Sequence, residues 1–239
     1  MSDSPVIYPL WRRAAALGVH LFTASGIVSA FFSLVAIHHE EWRNAMIFLW
    51  ICFVIDGFDG LLARLARVRD VLPNWDGEAI DDVIDFCTYA VIPAYFMYAS
   101  PMLLDAGAWR TALPALVLLT SAMYYGHKGM VSTDKYFVGF PVLWNFVIFY
   151  QFFVFQTSSF TTIISTLIIC VLHFVPFKVP YPSQVAEYRW LQMGLIIAAI
   201  SANFLILFDY PNPNRYLILF SEVYLAYLGV WSLYATFKK

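Results

Sequence analysis

Eight apolar stretches follow one another along the chain, at residues 14–37, 43–64, 79–100, 111–127, 139–156, 158–175, 191–208 and 216–236. A helix needs about 20 apolar residues to cross a bilayer, and all eight stretches come close to that length. The breaks between them have physical causes: Pro73 with Asn74, Pro101, the polar run His127 to Lys135, Pro176 to Pro182, and Pro211 with Pro213. With 61% hydrophobic and 13% charged residues and a mean hydropathy of +0.69, an ordinary water-soluble domain is excluded. The expected fold is an all-α integral membrane bundle of about eight transmembrane helices. No repeat or low-complexity linker interrupts it, so residues 1–239 are expected to form one domain. Arg12 and Arg13 precede the first stretch without a small-residue cleavage site, which predicts a retained first helix.

Lys and Arg set the expected orientation. Arg12, Arg13, Arg64, Arg67, Arg69, Lys128, Lys135, Lys178, Arg189, Lys238 and Lys239 fall on one side of the alternating segments, and only Arg43, Arg110 and Arg215 on the other. Both termini, and the loop from Arg64 to Asp76, are therefore expected on the cytoplasmic side. No basic face or RNA-binding signature is visible, so nucleic acid is not an expected partner. Cys52, Cys87 and Cys170 lie in apolar surroundings without CxxC pairing and read as small buried hydrophobes.

Against this apolar background stand Asp56, Asp59, Asp81 and Asp85, four carboxylates within 30 residues. A charge at the centre of a membrane helix costs roughly 2.5–3.5 kcal/mol on insertion scales, so this cluster needs a compensating partner. Spacings of three and four put each pair on one helix face. A short loop joins the two helices, so they are expected to be antiparallel neighbours aiming all four carboxylates at one volume. Hard oxygen ligands of this kind suit Mg2+ or Mn2+, and a pair of ions would offset the mutual repulsion. Gly57, Gly60, Ala63 and Gly77 leave room beside them for a bulky phosphorylated ligand, whose oxygens Arg64 could grip in bidentate fashion.

The pattern Asp56-x-x-Asp59-Gly60-x-x-Ala63-Arg64, a spacer, then Gly77-x-x-x-Asp81-x-x-x-Asp85 resembles the signature of the CDP-alcohol phosphatidyltransferases at all eight of its positions. The spacer, residues 65–76, is longer than in most of that family. Together with Gly57, the eight segments and the overall size, it is similar to the bacterial phosphatidylcholine synthases within it. His20-Leu-Phe-Thr23-x-x-Gly26 resembles the family's Asn-x-x-Thr-x-x-Gly segment near the cytidine, with His20 in place of the usual Asn. Phe137-Val-Gly139-Phe-Pro141 is similar to a segment near the acceptor site of phosphatidylserine synthases.

The resemblance implies transfer of a phosphatidyl group from CDP-diacylglycerol to free choline, giving phosphatidylcholine and CMP. It implies Asp56, Asp59, Asp81 and Asp85 as ligands of two Mn2+ or Mg2+ ions, with Asp85 also the catalytic base. It further implies Thr23, Gly60, Ala63, Arg64 and Gly77 on the donor, a bacterial inner-membrane location with the site facing the cytoplasm, and a homodimer by analogy with relatives. A quaternary ammonium calls for aromatic faces or a carboxylate. Tyr89, Tyr125, Trp144 and Asn145 are the candidates for that pocket, with Glu187 and Tyr188 behind them. Two rivals stay open: a relative using serine, inositol or glycerol phosphate, and a cation-coupled transporter, although a transporter would carry acidic groups near the membrane midplane and an inverted repeat.

Overall fold

A computed structural model describes residues 8–133, 135–180 and 189–238. The chain opens with α1 (Leu10–His38) and α2 (Trp42–Ala66), joined by a turn of three residues. These two helices form the most intimate pair in the molecule, and the sequence of α1 explains why. Ala16, His20, Thr23, Gly26, Ser29, Ala30, Ser33 and Ile37 recur at three- and four-residue intervals and form its buried face. Most are small, so the backbones approach closely, and the Ser29 and Ser33 hydroxyls donate to the Phe48 and Ala45 carbonyls of α2 at 2.9 and 2.8 Å. In lipid, where apolar side chains gain little by leaving the solvent, close packing and such cross-helix bonds carry helix association.

After α2 the chain turns through Arg67, which is left-handed (φ 51°), into the single turn α3 (Val68–Val71). Val68 and Val71 are buried against Ala16. The long spacer is therefore not slack, because a third of it is a helical turn seated on α1. Asp76 then caps α4 (Gly77–Phe86), its carboxylate accepting from the Ala79 N–H at 3.1 Å. Helix continues through a π turn (Cys87–Val91) into α5 (Ile92–Ala99).

A 3₁₀ turn (Pro101–Leu103) leads to α6 (Trp109–Tyr125). Next come strand β1 (Tyr136–Val138), α7 (Trp144–Phe149) with its π turn (Tyr150–Val154), α8 (Ser159–Leu172), strand β2 (Lys178–Pro180), α9 (Arg189–Phe208) and α10 (Arg215–Phe237). The largest core cluster, around Trp50, Phe96, Phe149 and Phe153, fills the bundle away from the Asp-bearing end of α2. Large apolar side chains such as Phe31, Leu119, Phe160, Val223 and Val230 face outward, an arrangement suited to lipid.

Every expected segment contains helix, but among the described residues only α1, α2, Trp190–Phe208 and α10 are long and apolar enough to cross a membrane. The expected span 139–156 requires correction. Its helix begins only at Trp144, because Gly139 is left-handed (φ 80°) with its α-carbon against the His173 carbonyl, and Pro141 holds Phe140 out of helical geometry. The resulting 11-residue helix of α7 and its π turn rises only about 16 Å. The bundle also carries an antiparallel ribbon, pairing Tyr136 with Pro180, Phe137 with Val179 and Val138 with Lys178. It is tied to α10 through the Lys178 N–H to Thr236 and the Ser232 hydroxyl to the Lys178 carbonyl.

Candidate active site

The four aspartates meet where α2 and α4 pass each other over α1. One carboxylate oxygen each from Asp56, Asp81 and Asp85 lies within 4.8 Å of the others. Asp59, one turn beyond Asp56, is buried and reaches the Asp81 carboxyl from the side, outside that compact trio. Thr23 and Gly26 of α1 line the floor of the cleft, with Ile55 and Ile84 on its walls. At Gly26 a Cβ would stand 3.1 Å from a methyl of Ile84, so this glycine lets α4 settle onto α1 and carry Asp85 to Asp56.

Like charges held this close repel strongly, and no basic side chain forms an ion pair with any of them among the described residues. One oxygen of Asp85 is buried without a hydrogen-bond partner. Carboxylates from two helices, crowded and incompletely bonded, are the donor set expected of a divalent-cation site. The residues present fit such an ion.

The neighbours expected on the donor side divide. Thr23 is buried in the cleft floor. Arg64 is exposed and unpaired among the described residues, with its guanidinium folded back over Gly60, 3.4 Å from where a Cβ of that glycine would be. Arg67 and Arg69, by contrast, pair locally with Asp70 and Glu78. Gly77 lies under the His20 ring, where a Cβ would come within 3.0 Å of Cε1. His20 in turn stacks on Trp75 of the spacer, with ring centroids 5.6 Å apart. Ala63 packs against the cluster of Ala16, Val68 and Val71, which seats the spacer.

The residues expected in an acceptor pocket divide too. Tyr125 ends α6 edge-on to Phe86 and within electrostatic reach of Asp85 and Asp56. Trp144 is 1% exposed, its indole N–H donating to the Ser121 hydroxyl at 2.9 Å and its ring against His173, so it is a packed interior residue. Asn145 is buried as well, its side-chain oxygen accepting from the Phe146 N–H. Tyr89 is 4% exposed and donates its hydroxyl to Asp56 at 2.7 Å, so it serves a carboxylate instead of facing open space. Glu187 and Tyr188 lie outside the described residues. Sequence reading did not anticipate the Trp75–His20 stack or the Tyr89–Asp56 bond. Only the second had a signal, since Tyr89 follows Asp85 by four residues and shares its helix face.

No family model matches the chain. Curated proteins named phosphatidylcholine synthase do. The one from Bradyrhizobium diazoefficiens is 40% identical over 184 residues, covering 77% of this chain and 68% of the relative. That of Rhizobium johnstonii is 34% identical over 222 residues, 92% of this chain and 90% of the relative. That of Legionella pneumophila is 33% identical over 241 residues, 96% and 92% of the respective chains. With such likeness over most of its length, and three carboxylates of the signature gathered in one cleft, the chain belongs to the phosphatidylcholine synthase family.

Proposed function

We propose that the protein transfers the phosphatidyl group of CDP-diacylglycerol to free choline, releasing CMP. The observation that carries this reading is the convergence of Asp56, Asp81 and Asp85 from two helices in a chain of this family. Asp56, Asp81 and Asp85, with Asp59 alongside, would hold Mn2+ or Mg2+, two ions in the full complex, which would supply positive charge against the donor diphosphate and departing CMP.

The chain's own groups do the rest. Arg64 grips phosphate oxygens over the small Gly60, Thr23 and Gly77 shape the donor end of the cleft, and Ala63 holds the spacer in place behind it. Asp85, through its unpartnered oxygen, takes the proton of the choline hydroxyl. The deprotonated choline oxygen then bonds to the phosphorus bearing the lipid, and the bond from this phosphorus to the CMP oxygen breaks. Tyr125, with Phe86, offers an aromatic face to the trimethylammonium group, and the surrounding carboxylates add to its attraction.

In this reading residues 1–239 act as one membrane domain of eight segments in the bacterial inner membrane. Both termini and the cleft face the cytoplasm in this reading, which the asymmetry of Lys and Arg supports. The working unit in this reading is a homodimer, the state that the family resemblance implies. Purified protein given CDP-diacylglycerol, Mn2+ and one acceptor at a time tests the substrate assignment through CMP release. Choline is expected to support turnover. Turnover with serine or glycerol phosphate and none with choline would overturn it.

A further inference from the structure

We propose that Tyr89 is a positioning residue for Asp56, holding that carboxylate in the orientation in which it ligates a cation. The inference rests on the reading that Asp56, Asp81 and Asp85 bind a divalent ion. Tyr89 stands on the π turn Cys87–Val91, where the Ile92 N–H bonds back to the Cys87 carbonyl. The wider turn departs from the regular helical succession after Asp85, and such turns recur at functional sites. The Tyr89 ring is walled in by the cluster of Ala90, Val117 and Trp144, which a phenylalanine would fill equally well.

The hydroxyl needs another reason, and its partner supplies one. It donates to Oδ2 of Asp56 across 33 residues of sequence, the only side-chain hydrogen bond that Asp56 accepts among the described residues. A carboxylate pinned at one oxygen presents the other in a fixed direction. Outer partners of this kind tune the ligand and raise metal affinity by about 10- to 100-fold. Asp85, whose buried oxygen has no partner, is left free to exchange a proton, whereas Asp56 is clamped.

The test is Tyr89→Phe, alone and combined with Asp56→Asn, in full-length protein purified in detergent. Mn2+ binding is read from the electron paramagnetic resonance signal of the free ion, and choline KM is measured at saturating Mn2+. Loss of the hydroxyl is expected to raise the Mn2+ Kd about tenfold when Asp56 is intact. With Asn at position 56 the same substitution should change it no further, and choline KM should not move. An unchanged Mn2+ Kd in Tyr89→Phe overturns the inference, as does an equal loss in both backgrounds or a rise confined to choline KM. Asp81→Asn separates this from failure of the cation reading, because if Asp81→Asn bound Mn2+ like the wild type the cluster would not be the metal site at all.

Discussion

Removing one carboxylate from the trio should invert its effect on stability according to whether metal is present. Two unit charges 4.8 Å apart repel by about 3.5 kcal/mol at an effective dielectric of ~20. Asp56, Asp81 and Asp85 make three such pairs when all are ionised, and Asp81→Asn eliminates two of them, a ceiling of about 7 kcal/mol that proton uptake within the trio and solvent both lower. Asp81 is only half-buried, so water reduces this to about 2 kcal/mol of net stability. For a chain of this size 1 kcal/mol moves the melting temperature by about 2–4 °C. In chelator, Asp81→Asn should therefore melt roughly 4–8 °C above the wild type. In saturating Mn2+ the wild type gains binding energy that the variant has lost, and the order should reverse. Thermal unfolding in detergent, followed by tryptophan fluorescence with EDTA and with Mn2+, measures both differences. A variant that melts below the wild type in EDTA, or that responds to Mn2+ as fully as the wild type does, would refute the repulsion argument.

Three other substitutions probe separate parts of the reasoning. Asp85→Asn should abolish transfer while leaving donor binding partly intact, measured as CMP release beside binding of labelled CDP-diacylglycerol, and full activity would remove Asp85 from the chemistry. Gly139→Ala imposes a left-handed conformation on a residue with a Cβ and drives that atom into the His173 carbonyl, for a stability loss of about 2 kcal/mol or more in a denaturation series. Trp144→Phe removes the indole N–H from Ser121 and should cost about 1–2 kcal/mol, yet choline KM should stay as it was because the ring faces the interior.

What the sequence disclosed follows from how local each feature is. The shared faces of the aspartates could be read from their three- and four-residue spacing, since a helix fixes which side chains lie together. Arg64 and Gly60 were likewise legible one turn apart. The interior of residues 139–156 was not, because hydropathy measures only how apolar a stretch is. Gly139 bends there to approach His173, and that contact comes from a distant helix. The surroundings of Trp144 and Tyr89 were hidden for a related reason. An aromatic ring facing a ligand and one packed in a core have the same composition, and only the partners, Ser121 for one and Asp56 for the other, separate them. The spacer gave its length but not α3, whose four residues depend on Ala16 for burial.

The hydrogen bonds between Ser29, Ser33 and the carbonyls of α2 bear on how the protein is made. These two bonds need no residue downstream of α2, so the first two helices can pair as a hairpin while the rest of the chain is still being synthesised. Asp56 and Asp59 are then already aboard, with Asp81, Asp85 and Tyr89 still to come. The acidic cleft is thus a joint between an early hairpin and its successors, complete only once α4 has been made.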